Sequence, residues 1–136
     1  METIFKNLRI ITAPNPGPMT YFGTNTYILG SGSGLAIIDP GPNCEKHYKV
    51  LKSILEVEKA SHIIVTHSHL DHSSIAKRLS KEFSIPIFAH GNPKGARSEF
   101  MKKILKNSKN IGGLEGMDLD FIPDIFLSGG EIIMGN

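Results

Sequence analysis

Three of the six histidines of this 136-residue chain, His67, His69 and His72, fall close together, with Asp71 between the last two. Imidazole and carboxylate at this spacing are metal-ligand chemistry. In an extended segment residues two apart project to the same side, so His67 and His69 can close on one cation. Asp71 and His72 lie where the chain turns and can reach a second cation beside the first. Two metals about 3.5–4 Å apart are the arrangement that holds a bridging hydroxide for hydrolysis, which makes Asp71 the candidate catalytic carboxylate as well as a ligand. A donor set without thiolate suits Zn²⁺ and tolerates Mn²⁺ or Fe²⁺. The plain alternative, solvated histidines on a loop that cap the next helix, would account for one or two of these residues. It accounts poorly for His-x-His-x-Asp-His directly after an apolar strand.

The elements that must position this string alternate between short β-rich runs and helix-period runs, the pattern of an α/β layered domain. Thr3 to Ile11 and Thr26 to Leu29 read as strands, separated by Pro14, Pro16, Gly17 and Pro18, which deny the loop regular pairing. Gly30 to Gly34 is a turn, with no helix and no Lys-Ser/Thr behind it to cradle a phosphate. Leu35 to Ile38 is apolar on both faces and ends at Asp39-Pro40-Gly41. Asn43 can cap a helix whose stripe is Val50 and Ile54 with Leu51 and Leu55. His62 to Val65 is the next strand, and the metal string follows at its carboxyl end, where α/β proteins place their chemistry. Ile75, Leu79 and Phe83 mark a second helix, Ile85 to Ala89 a strand ending at His90, and Phe100, Met101, Ile104 and Leu105 a third helix. Ser128-Gly129-Gly130 turns into a last strand over Glu131 to Met134.

Composition narrows the class. The chain has one domain's length, 40% apolar and 21% charged residues, and a net charge of +2, too small for bulk attraction to a phosphate polymer. Lys94, Arg97, Lys102, Lys103, Lys106 and Lys109, with Phe100 among them, form a basic stretch that either tracks an RNA backbone or is a solvated helix face. The single cysteine, Cys44, forbids an internal disulfide, and Met1 to Ile10 carries Glu2, Lys6 and Arg9 instead of an uninterrupted apolar run. A cytoplasmic location without membrane association is the expectation.

The string Thr66-His67-Ser68-His69-Leu70-Asp71-His72 resembles the signature of the metallo-β-lactamase superfamily. The likeness extends upstream through Asn15 to Thr20, Gly23-Thr24-Asn25-Thr26-Tyr27 and Ile38-Asp39-Pro40-Gly41, which together resemble the β-lactamase-like protein 2 group. The resemblance implies an αββα sandwich and a hydrolase with one or two metals at the sheet ends, acting on substrates from thioesters to RNA; the group includes a mitochondrial endoribonuclease for single-stranded RNA. It also implies that Asp39 is the carboxylate that hydrogen-bonds behind the histidine loop and orients it, compatibly with its place in a turn.

The family's later half supplies a third histidine in a Thr-Pro-Gly-His-Thr string, then a bridging Asp and a last His, and this sequence has none of them. Residues 1–136 therefore read as an incomplete domain, the first sheet-plus-helices half of the sandwich. A catalytic zinc takes three protein ligands and an open position, so the two that His67 and His69 supply, and the two that Asp71 and His72 supply to a second ion, bind weakly. His90, on the same rim, is the one histidine that could substitute; His62 is out of phase, and His47, on a helix, is structural or solvent-facing. Each apolar side chain left uncovered forfeits ~1.5–3 kcal/mol against a domain's total of ~5–15 kcal/mol, so the half sandwich should self-associate or pair with a second polypeptide. Three functions follow: a metal-dependent hydrolase of a small-molecule ester or RNA completed by a partner, a non-catalytic remnant of one, or a metal-binding or interaction module.

Overall fold

The computed structural model describes residues 1–91, 98 and 116–133. Strand β1 (Glu2–Phe5) and β2 (Leu8–Thr12) lead to β3 (Asn25–Leu29), β4 (Leu35–Ile38), helix α1 (Glu45–Leu55), β5 (Ala60–Val65), the single turn α2 (Leu70–Ser73), α3 (Ala76–Phe83), β6 (Ile87–Ala89) and β7 (Ile125–Phe126). The seven strands form one mixed sheet in sequence order, antiparallel from β1 to β4 and parallel from β4 to β7. The change of direction follows from the connections. Turns join β1 to β2 and β3 to β4 and the long loop of residues 13–24 joins β2 to β3, whereas α1 and then α2 with α3 carry the chain back for parallel pairing. This is the expected α/β architecture, the first sheet of an αββα sandwich with its helical layer.

The two faces of the sheet differ. Cross-strand partners Ile28, Ile37, Ile63 and Ile87 make one row toward the helices, and all four are buried. Leu51 and Leu55 of α1 and Leu79 of α3 belong to the same core. At the edge of that row Arg9 pairs with Ile28 and closes the layer with a two-pronged ion pair to Glu58, at 2.6 and 2.9 Å. The opposite face carries a second row, Ile10, Tyr27, Ile38, Ile64, Phe88 and Ile125, each the partner of the next across six strands. All of these keep some exposure, and among the described residues no element packs over them as the helices do on the other side. Leu35 to Ile38, expected to be buried on both faces, is therefore fully buried only at Leu35 and Ile37.

Several local expectations are corrected. Thr3 to Ile11 is not one strand: a turn at Lys6-Asn7 folds it into the β1–β2 hairpin. Residue Cys44, not Asn43, precedes α1, and it makes no side-chain cap. The buried stripe of α1 is His47, Tyr48, Leu51 and Leu55, while Val50 is 38% exposed. Strand β6 starts at Ile87 rather than Ile85, since Pro86 has no amide to donate and offers its carbonyl to Ile63 instead. Glu131 to Ile133 form no strand, because the Glu131 carboxylate turns back onto the amides of Ser128 (2.5 Å) and Gly129 (2.7 Å); Ile125 and Phe126 make the last pairing instead. The helix expected around Phe100 to Leu105 and the basic side chains from Lys94 to Lys109 lie outside the described residues. Among those described, no helix is long and apolar enough to cross a membrane.

Candidate metal centre

The string sits where β5 runs out. Val65 is the last strand residue, Thr66 to Ser68 continue past the sheet edge, and α2 begins at Leu70 with His69 as its extended preceding residue (φ −66°, ψ 141°). This places three imidazoles together. The ring centroids of His67 and His69 are 4.8 Å apart and those of His67 and His72 4.3 Å. Nε2 of His72 lies 3.4 Å from Oδ2 of Asp71. Two donors on adjacent corners of a tetrahedron with bonds of about 2.0–2.1 Å stand about 3.4 Å apart, so this pair already has the spacing that zinc requires.

Asp39 explains why the nitrogens face as they do. It follows β4 with a left-handed backbone (φ 51°), is buried, and spends both oxygens on the histidine loop. Oδ1 accepts from the Thr66 amide (2.8 Å), and Oδ2 accepts from the Thr66 hydroxyl (2.7 Å) and lies 3.0 Å from His72 Nδ1. An ionised carboxylate only accepts, so His72 carries its proton on Nδ1 and leaves Nε2 open. The Thr66 oxygen is in turn 3.0 Å from His67 Nδ1. With its own proton given to Asp39, it accepts the His67 Nδ1 proton and leaves that Nε2 open as well. One carboxylate thus sets the tautomer of two candidate ligands, one of them through a threonine.

The charges respond accordingly. Burial pushes the Asp39 carboxyl up, but the bonds from His72 and from the Thr66 amide and hydroxyl outweigh it and hold the group below its ordinary value. The bond to Asp39 raises His72 against the effect of burial. Burial, helped by the neighbouring imidazoles of His72 and His69, lowers His67, which favours the neutral ring a metal needs. Donor atoms of Asp39, His67 and His72 all lie within 4.8 Å of one another, a group able to hold an ion. Both oxygens of Asp39 are already committed to Thr66 and His72.

Two supports escaped the sequence reading. Thr24 donates to Asp71 Oδ2 (2.7 Å) and is itself held by the Asn15 side chain, which donates to its hydroxyl (3.0 Å) and accepts from its amide (2.9 Å). Gly23 lets the loop close there, since at φ 140° a Cβ would fall 1.8 Å from the Ala13 carbonyl oxygen. On the other side the segment around Met117 bridges to His69, with Leu70 donating to Gly116 (2.6 Å) and Asp118 to Ser68 (2.7 Å). The remaining histidines differ in setting, and His90 directly follows Ala89, the cross-strand partner of Val65. His90 is exposed at the end of β6, His62 stacks on Phe88 with centroids 4.8 Å apart, and His47 is buried beneath the sheet edge.

Comparison with known proteins agrees with this geometry. The model of the metallo-beta-lactamase superfamily matches residues 19–135. A beta-lactamase-like protein 2 homolog of Caenorhabditis elegans is 38% identical over 85 residues, which are 57% of this chain and 29% of that protein. The thioesterase pkgB of Emericella nidulans is 34% identical over 87 residues, 62% of this chain and 26% of that one. The chain thus spans less than a third of the length of either relative. Among solved structures the BLEG-1 B3 metallo-beta-lactamase superposes with a TM-score of 0.55 at 24% identity, over 90% of this chain and 53% of the other. A motif read from residues 66–72, a carboxylate found behind it, and a family match over most of the sequence lead to one assignment: the chain belongs to the metallo-beta-lactamase superfamily.

Proposed function

We propose that this chain carries one side of the metal centre of a hydrolase, with His67, His69, Asp71 and His72 as the ligands of one or two divalent cations, zinc first. The observation that supports it most is the bonding of Asp39, which leaves the Nε2 atoms of His67 and His72 open beside Asp71. When bound, such a cation supplies Lewis acidity toward a carbonyl or phosphoryl oxygen and makes water a better nucleophile at neutral pH. The chain's own residues do the rest. Asp39 and Thr66 fix ring orientation, and Thr24 fixes Asp71.

Within this reading the bond cleaved is a thioester, in line with the relative named as a thioesterase; an RNA phosphodiester is the second class. Hydrolysis of an acyl thioester and of a nitrophenyl phosphodiester by the zinc-loaded chain, alone and with any polypeptide that co-purifies, tests it. The expected result is zinc-dependent thioester turnover lost in Asp71→Asn. Zinc-independent turnover, or turnover indifferent to that substitution, would contradict it.

The open apolar row supports a partner over that face, whether a second polypeptide with its own sheet and further ligands or a second copy. Sedimentation velocity should show the chain self-associating, and Ile64→Lys should return it to monomer. A wild-type chain that stays monomeric and binds no hydrophobic dye would overturn this part of the proposal.

A further inference from the structure

Asp39 works from a costly backbone position. Its φ of 51° is left-handed for a residue with a Cβ, and Pro40 and Gly41 (φ 103°) follow. Such a turn persists only where its surroundings over-determine it. The side chain beneath this turn is His47 of α1, 1% exposed and apart from the metal donors. Its ring is hydrogen-bonded to the backbone of Pro40, which lacks an N–H and so accepts through its carbonyl. Nε2 lies 2.9 Å from the Thr26 hydroxyl oxygen, which is itself 2.7 Å from the Asp39 carbonyl oxygen; a neutral ring that donates to Pro40 accepts here, so the one Thr26 proton is shared between Nε2 and the Asp39 carbonyl. A Cβ on Gly41 would come within 2.8 Å of both Cδ2 and Nε2 of the ring, so the close approach requires glycine. The Gly41 amide in turn donates to the His72 carbonyl at 3.0 Å. One buried imidazole therefore touches the turn at Pro40 and Gly41 directly, and at Asp39 through Thr26.

We propose that His47, acting with Thr26, is a positioning residue that locks the Asp39–Gly41 turn and so holds the Asp39 carboxylate against His72. A histidine that merely filled space would be replaceable by leucine, which has similar bulk and no hydrogen bonds. A positioning histidine would not. Burying a ring with two polar atoms is worthwhile only where both find partners, and the partners here are the backbone of one turn and the threonine that braces it. Through that turn the effect reaches a ligand that His47 does not touch.

The test uses the full chain and two readouts. Long-range ¹H–¹⁵N spectra of the metal-free protein, at a pH where His72 is neutral, report its tautomer. Competition with a chromophoric chelator reports zinc affinity. His47→Leu should replace the single Nδ1–H tautomer of His72 with a mixture and weaken zinc about tenfold, the lower end of what losing an orienting partner costs a metal site. His47→Gln, which can still donate and accept, should restore most of both. An unchanged His72 tautomer in His47→Leu would overturn the proposal. If His47→Leu does not fold, Thr26→Val carries the same expectation and the same contrary result. The zinc arm rests on the metal-centre reading; the tautomer arm does not, so a wild-type chain that bound no zinc would defeat that reading while this one was still decided by the spectra.

Discussion

Replacing His72 by alanine lowers zinc affinity by at least two orders of magnitude, the largest single effect expected in this chain. Structural zinc sites bind with about 10–16 kcal/mol, so one ligand of three or four accounts for roughly 3–4 kcal/mol. His72 contributes more than its own nitrogen. Among the described residues its ring is the only imidazole bonded directly to Asp39, and its Nε2 stands 3.4 Å from Asp71 Oδ2, the separation of two donors that share one ion. Removing the ring therefore takes away a metal donor and leaves the Asp39 carboxylate short of one hydrogen bond. Chelator competition measures the loss, and His62→Ala, whose ring packs on Phe88, serves as the control that should bind as the wild type does. Equal affinities of the wild type and His72→Ala would mean that zinc binds elsewhere.

Asp39→Asn ranks second and acts on stability as well as on metal. The amide keeps one accepting oxygen but presents an NH₂ where the Thr66 hydroxyl and His72 Nδ1 both donate, so two donors lose their acceptor in a buried position. The expected cost is about 2–4 kcal/mol in urea unfolding, with zinc weakened 10–100-fold. Its pH dependence has a definite sign. Asp39 lies below its ordinary 3.8, so its contribution is present above that value and lost as pH falls through the folded pKa; His72 lies above its ordinary 6.5, so its contribution is present below that value and lost as pH rises through the folded pKa. The stability difference between wild type and Asp39→Asn in the metal-free chain should therefore be greatest between about pH 4 and 6.5 and narrow on either side. His47, lowered first by burial, titrates in both proteins and largely cancels in that difference. A difference that grew steadily from pH 6 to 9 would contradict the Asp39–His72 pairing.

What the sequence made legible were features carried by near neighbours. The two-residue spacing of His67 and His69 and the strand before them are local, and the rings do come together. Asp39 stood out through the resemblance carried by Ile38-Asp39-Pro40-Gly41, and its bond to His72 fits that reading. The brace on Asp71 comes from Thr24 and Asn15, and the bridge to His69 from Met117. Contacts between segments so far apart leave no periodic mark on either one. In α1 the period was right but its centre was not. Val50 with Ile54 and Leu51 with Leu55 both satisfy a four-residue repeat. The buried stripe is completed by His47 and Tyr48, polar residues that a search for apolar positions passes over. Leu35 to Ile38 failed for a different reason. A strand apolar on both faces reports what it is built to pack against, and the described residues cover one of those faces.

The account depends most on the four side chains at the end of β5 forming one coordination group. The direct measurement is a zinc titration of the chain followed by long-range ¹H–¹⁵N histidine spectra, which assign each perturbed ring nitrogen and read weak as well as tight binding. The account predicts that Nε2 of His67 and His72 shifts on metal binding together with the ring of His69, while Nδ1 of His67 and His72 keeps its proton and His47, His62 and His90 stay where they are. Shifts confined to His90 or His62, or metal bound at Nδ1 of His72 with loss of that proton, would contradict it.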